Sequence, residues 1–178
     1  MAAPGRFQLV DLAGDARERA VPILIDSFEG IYRWHAKRTL HRIPEVRGAL
    51  DGSELAGISM LERLVPEVGY VYYLAVAPRY RHRGVGGILL DDAIARFRSA
   101  GAEVVYGAVE VDNTPSLRLF RSRGFREVER KERGYRDGGL GAWGLRSRMM
   151  LVSGEVLYGR RYPGPERPPA PPAAGSPR

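Results

Sequence analysis

Residues 76–87 read Val76-Ala77-Pro78-Arg79-Tyr80-Arg81-His82-Arg83-Gly84-Val85-Gly86-Gly87. Ahead of them, GYVYYLAVA (69–77) is a run of β-branched and aromatic residues, which predicts a buried strand. Behind them, Leu89, Leu90, Ala93, Ile94 and Phe97 recur at helical spacing and Gly101 follows. That pattern predicts a helix from about Val85 to Ala100 with a glycine C-cap. The stretch is therefore a strand-to-helix turn. Glycines at 84, 86 and 87 permit unusual φ and close backbone approach where the chain enters the helix. First-turn amides lack intrahelical acceptors and sit at the positive end of the helix dipole, so such a turn is an anion site. Arg79, Arg81 and Arg83 add positive charge beside it. Together these suit a pyrophosphate; the alternative is a glycine-rich turn with solvated arginines. A Walker loop, GxxxxGK followed by Ser or Thr, does not occur, and a GxGxxG fingerprint would need glycine where Leu89 stands.

Outward from this turn, AEVVYGAVEV (102–111) predicts a second strand, parallel to 70–77 because a helix connects them. Thr114-Pro115 reads as an N-cap and first residue of a short helix that Gly124 ends. FREVERK (125–131) and RSRMMLV (146–152) read as the last two strands, joined by a glycine-rich loop around RDGGLGAWG. On the N-terminal side, FQLVDL has strand character, and residues 16–40 read as amphipathic helix interrupted at Pro22. EVRGAL and ELAGISMLE flank Asp51-Gly52, a hairpin turn signal. The expected fold class is α/β (α+β): a mixed, mostly antiparallel central sheet with a parallel pair in its middle, flanked by helices. Residues 1–153 form one expected domain. Residues 154–178 are expected to be a disordered Pro/Arg-rich tail, since 159–178 hold 7 of the 13 prolines and almost no bulky aliphatics.

The chain has 178 residues, 44% hydrophobic and 28% charged, the proportions of a globular domain with its own core. Cysteine is absent, which excludes disulfides, thiolate metal sites and a cysteine nucleophile. His35, His41 and His82 are scattered without metal-ligand spacing, so no metal is expected. The longest apolar run, VYYLAVA (71–77), is too short to span a membrane, and no signal peptide is legible at the N-terminus, so the expected location is cytoplasmic. The net charge of +7 comes from 26 Arg against 2 Lys, Lys37 and Lys131. It reflects either a compositional bias or an anionic partner.

Two linked motifs resemble those of the GNAT N-acetyltransferase superfamily. The first is Leu74-Ala75-Val76, Pro78, Arg81, Gly84 and Gly86; the second is Asn113, Ser116, Leu119-Phe120 and Gly124-Phe125. The resemblance covers roughly residues 7–152. It implies a splayed parallel pair and acetyl transfer from acetyl-CoA to a primary amine in a ternary complex. Backbone groups of Leu74, Ala75 and Val76 would pair with the pantetheine arm. Arg81, His82, Arg83, Gly84, Val85, Gly86 and Gly87 would hold the pyrophosphate. Asn113 and Ser116 would reach the arm, Phe120 would lie near the thioester, and Arg79 and Arg83 would meet the ribose phosphate. Dimers are common in that superfamily, so a homodimer is among the implied assemblies.

The sequence departs from the family at the catalytic positions. Many members carry a proton-donating tyrosine where Phe120 stands; Tyr72, Tyr73 or Ser116 are the hydroxyls nearby in sequence. The glutamate that some relatives use as base corresponds here to Tyr70, and that of others to Ala108. Glu110, on the same face as Ala108 by strand alternation, is the carboxylate of choice, ahead of Glu62 and Glu67; the alternative is that Glu110 is a surface or ion-pair residue. Tyr32 and His35, one helical turn apart, are expected to line the acceptor side with the loop near Trp143, unless Tyr32 and Trp34 only cover the core. Two rival functions remain: a non-catalytic acyl-CoA-binding domain, motivated by Phe120, and a nucleic-acid-binding protein, motivated by charge alone without any recognisable motif.

Overall fold

In a computed structural model of the chain, the described residues are 7–128, Met149 and 154–163. Seven strands form one sheet in the order β1-β2-β3-β4-β5-β7-β6. They are β1 (Gln8–Asp11), β2 (Glu45–Asp51), β3 (Glu54–Val65), β4 (Val68–Val76), β5 (Val104–Glu110), β6 (Arg126–Glu127) and β7 (Glu155–Arg161). The helices are α1 (Val21–Ser27), α2 (Gly30–Leu40), α3 (Val85–Ser99) and α4 (Thr114–Ser122). All pairings are antiparallel except β4–β5. The mixed sheet and its parallel pair are as the sequence predicts. None of the described helices is long and apolar enough to cross a membrane.

Leu55–Leu61 of β3 are buried without interruption, the mark of a strand covered on both faces. On one face, Gly57 and Gly69 leave the space that Val85, Leu89 and Phe97 of α3 fill. On the other, Ile58 and Met60 join Ile23 and Leu24 of α1 and Ala36 and Leu40 of α2 in one core. Arg47 of β2, only 6% exposed, is held by Asp92 of α3 at 2.8 Å and by Asp11 of β1 at 2.7 Å. Removing this guanidinium would leave a carboxylate stranded under α3, which costs more than the pair itself contributes.

The parallel pair is short. Its register runs from Val68↔Val104 to Val71↔Gly107 and stops, although β4 continues to Val76 and β5 to Glu110. The cause lies on the other edge of β4. Met60 faces Tyr73 and Leu61 faces Val71, so Tyr72 is the extra residue of a β-bulge. A bulge bends and twists its strand, and here it coincides with the point where β4 and β5 part.

Several expectations change. The N-cap of α4 is Asn113, whose Oδ1 accepts from the Ser116 amide at 3.1 Å; Thr114 and Pro115 are the first two helical residues. Asn and Thr are both good N-cap residues, and here the Asn113 carbonyl satisfies a first-turn amide while Thr114 follows inside the turn. The 16–40 region is a 3-10 helix (Gly14–Ala20) followed by α1 and α2, with a second break at Phe28-Glu29. Residues 155–161, assigned by composition to the tail, are β7, inserted between β5 and β6 and paired along all of β5. The domain thus runs past 153. Prolines begin only at Pro163, so the biased composition of 159–178 overlaps the strand's end and hid its alternation. Met149, placed by the sequence in a strand, is helical; the rest of the 146–152 strand, Trp143 and the residues after 163 lie outside the described residues.

Candidate functional site

The glycine turn sits at the α3 end of the β4–β5 gap. Gly84 is the N-cap of α3 with φ +83°, and His82 is the one left-handed non-glycine among the described residues, at φ +61°. Left-handed residues interspersed in a turn bring successive N–H groups toward one concave side. No side chain among the described residues caps α3, so the amides of Val85, Gly86 and Gly87 have neither cap nor intrahelical acceptor. The Arg81 guanidinium does not project as a charge arm: it donates to the Val76 carbonyl and the Asp26 carbonyl, each at 3.2 Å. It braces the turn against β4 and α1. Arg79 pairs with Glu54 at 2.8 Å and lies over the Tyr80 ring, away from the role expected of it at a ribose phosphate. Arg83 also lies over Tyr80, with its guanidinium carbon 5.7 Å from the ring centroid. The Tyr80 hydroxyl in turn donates to Glu54 at 2.7 Å, completing an Arg79–Glu54–Tyr80 brace behind the turn.

Gly86 faces the gap from α3. A Cβ there would lie 3.4 Å from Leu74 and from Leu119 and 3.7 Å from Val76. The backbone of α3 thus approaches the splayed half of β4, bringing Leu74, Val76 and Leu119 together as the sequence motifs imply. Gly87 leaves room for Arg123, which crosses α3 to bind Asp91 at 3.1 Å and so docks α4. Phe120 is buried, edge-on to Phe125 at 4.9 Å, with its ring against Gly107, whose Cβ would come within 2.6 Å of it. A glycine at the last residue of β5 that pairs with β4 thereby admits an aromatic ring beneath the gap. Asn113 and Ser116 meet through the α4 cap.

On the opposite face lies a cavity of about 180 Å³, lined by Tyr32, Trp34 and His35 of α2, Tyr70, Tyr72 and Tyr73 of β4, Ala108 of β5 and Glu155 of β7, with Ile31 and Met149. The bulge explains how neighbours Tyr72 and Tyr73 both reach it. Tyr73 touches Phe28 edge-on at 5.0 Å, and its hydroxyl lies 2.6 Å from His35 Nδ1. Burial, with Arg38 adding repulsion, lowers the pKa of His35, which favours the neutral ring that can accept this bond. Burial raises the pKa of Tyr73 and Tyr70, and Glu155 adds to both. The Tyr70 hydroxyl donates to the Met149 carbonyl at 3.0 Å, so this catalytic candidate is a buried, hydrogen-bonded wall of the cavity. Tyr32 and His35 share the cavity as expected, while Trp34, 61% exposed, forms its rim and not the core.

Glu110 is exposed at the end of β5, does not line the cavity, and stands directly opposite Glu155 in the ladder. Glu62 pairs with Tyr70 across β3–β4 and Glu67 lies in the β3–β4 turn; neither lines the cavity. Glu155 is the residue the sequence reading missed. Its signal was the β-favouring run EVLY behind Gly154, obscured by the prolines that follow.

Comparison with known proteins agrees with this geometry. The N-alpha-acetyltransferase RimI of Mycobacterium tuberculosis is 39% identical over 102 residues, covering 56% of this chain and 63% of that protein. A mycothiol acetyltransferase of Corynebacterium glutamicum is 29% identical over 112 residues, covering 55% of this chain and 38% of the other. The chain thus matches less than two thirds of either relative's length. A GNAT family acetyltransferase from Elizabethkingia anophelis, crystallised with acetyl-CoA bound, shares the fold with a TM-score of 0.65 at 16% identity, over 88% of this chain and 99% of that one. The model of the acetyltransferase (GNAT) family matches residues 14–125, from the 3-10 helix through the end of α4, and the chain belongs to that family.

Proposed function

We propose that the chain moves an acetyl group from acetyl-CoA to a primary amine by direct attack in a ternary complex. The observation that carries this reading is the β4–β5 gap, with an uncapped glycine turn on one face and an aromatic cavity with a carboxylate on the other. Acetyl-CoA, when bound, supplies an acyl thioester. The α3 amides at 85–87 and the left-handed turn at 82–84 fit its pyrophosphate, being donors without intrahelical acceptors. Leu74 and Val76 lie on the stretch of β4 that β5 no longer pairs, where an extended arm adds like a strand. The Val76 carbonyl already accepts from Arg81, so the arm's partners there are the remaining backbone groups. Asn113 keeps its Nδ2 as a donor after Oδ1 has capped α4. A β4 amide beyond the bulge steadies the developing oxyanion, and catalysis comes largely from positioning.

The acceptor we propose is an amine of low pKa, such as a peptide α-amine. Phe120 offers no proton and Ala108 no carboxylate. An α-amine with pKa ~7.8 is about a tenth free at pH 7 and a lysine with pKa ~10.4 about 0.04% free, a difference near 3.5 kcal/mol. The tuberculosis relative's name, for N-α-acetylation, supports the same class. The test uses acetyl-CoA with a lysine-free pentapeptide bearing a free α-amine, and with its N-acetylated counterpart carrying one lysine. The expected product is the acetylated α-amine, by mass spectrometry, with kcat/KM at pH 7 at least 100-fold above that for the lysine. Equal rates overturn the choice of acceptor. Tight acetyl-CoA binding without turnover on any amine makes the chain a non-catalytic acyl-CoA-binding protein, which is what Phe120 favours.

A further inference from the structure

Among the described residues that line the cavity, Glu155 is the one carboxylate, and it comes from the last described strand. Glu155 opens β7 and lines the cavity with Tyr32, Tyr70 and Tyr73. Its charge acts on all three tyrosines, whereas those of Glu110 and Asp112 act on Tyr32. The cavity lining places Glu155 among residues of α2 and β4, and Glu110 is not among the residues that line it. Among the described residues that line the cavity, the titratable groups beside Glu155 are Tyr32 and His35 of α2 and Tyr70, Tyr72 and Tyr73 of β4, with Glu110 across the ladder. Aromatic faces with one carboxylate among them suit a cation. Ala108, one residue past the last β4–β5 pair, lines the cavity, so a nitrogen held in it borders the gap.

Resting on the acetyl-transfer reading, we propose that Glu155 receives the acceptor's cationic amine in this aromatic cavity and is the base that takes its proton during attack. The ammonium first sheds one proton to solvent. The nitrogen lone pair then forms the C–N bond to the acetyl carbon, the C–S bond breaks, and CoA leaves as its thiolate. The second nitrogen proton passes to the Glu155 carboxylate and from there to water, while the thiolate is protonated by solvent. No donor at position 120 is needed in this scheme.

The test compares wild type with Glu155→Gln, Glu155→Asp, Glu110→Gln and His35→Asn, using acetyl-CoA and the α-amine pentapeptide. Glu155→Gln is expected to lower kcat at least 100-fold, the low end of general-base contributions, with acetyl-CoA affinity by calorimetry within twofold of wild type. Glu155→Asp recovers part of the loss, and the limb of kcat/KM that rises as a carboxylic acid deprotonates disappears in Glu155→Gln. A readout that needs no turnover is titration of the pentapeptide into the CoA-loaded protein, expected to weaken at least tenfold in Glu155→Gln. A Glu155→Gln kcat within threefold of wild type overturns the proposal, whatever happens to KM, as does a larger loss in Glu110→Gln or His35→Asn. If wild type turns over no amine, the acetyl-transfer reading fails by itself. Equal pentapeptide affinity in wild type and Glu155→Gln then removes the contact as well.

Discussion

The two sides of the β4–β5 gap are made of different material. The α3 side is backbone: a left-handed turn, an uncapped helix start, and a glycine, Gly86, that lets the α3 main chain come against Leu74, Val76 and Leu119. The α2 side is side chain: tyrosines, a histidine, a tryptophan and a glutamate contributed by α2, β4 and β7. A backbone site binds what every member of a family shares, because any sequence that keeps the turn keeps the donors. A side-chain cavity can change its ligand residue by residue. On the proposed reading, the backbone side takes the acyl donor, which the family shares, and the side-chain cavity takes the acceptor.

The largest expected effect removes the backbone side. Gly84→Glu with Gly86→Glu sets two carboxylates at the α3 entry, and Gly84 is also left-handed, where a side chain costs about 1 kcal/mol. Acetyl-CoA affinity should fall at least 100-fold by calorimetry, with circular dichroism unchanged, while pentapeptide binding to the cavity persists. Loss of both together would mean that the two sides are not separable.

Gly86→Ala should act the other way and more weakly. Its Cβ meets Leu74, Leu119 and Val76 at ordinary contact distances, so the space accepts a methyl. Stability should rise by about 0.5 kcal/mol through the unfolded chain's lost freedom, read from the urea midpoint, with acetyl-CoA affinity within threefold. A large loss of affinity would show that the arm needs that space.

The smallest effect belongs to the cavity side. Burial lowers the His35 pKa, so the unfolded chain binds that proton more readily. The contribution of neutral His35, including its contact with Tyr73, is present above pH ~6.5 and lost as pH falls through the lower folded value. The urea midpoint should therefore drop more between pH 7.5 and 5.5 in wild type than in His35→Asn. Equal slopes would show that the imidazole is no more costly to charge in the fold than out of it.

How much could be read from the sequence follows the same division. The glycine turn, the preceding strand and α3 lie within about thirty contiguous residues, and their glycines have no cheaper explanation than backbone approach; all were legible. The cavity was legible only in part. Tyr32 and His35 were found because helical spacing puts them on one face. Glu110 ranks ahead of Glu62 and Glu67 in the sequence because period-two alternation extends along one strand; it says nothing about the strand beside it, where Glu155 stands. β7 arrives from the far end of the chain, behind residues that resemble no strand, and long-range pairing leaves no local mark. The N-cap error, Thr114 for Asn113, is the ordinary one-residue uncertainty of helix ends.

The bulge at Tyr72 bears on how this protein tolerates change. A strand's faces are assigned by counting, and one extra residue would invert the count for everything after it unless a bulge absorbs it. At Tyr72 the bulge does so: Tyr72 and Tyr73 both turn toward the cavity, and Leu74 and Val76 keep the α3 side. Deleting that single residue would shorten β4 by little more than 3 Å and restore plain alternation, with Tyr73 still toward α2 and Leu74 and Val76 still toward α3. What the deletion would remove is one wall of the cavity and the local bend of β4 at the point where it leaves β5, so the extra residue serves the gap and not the facing of its neighbours.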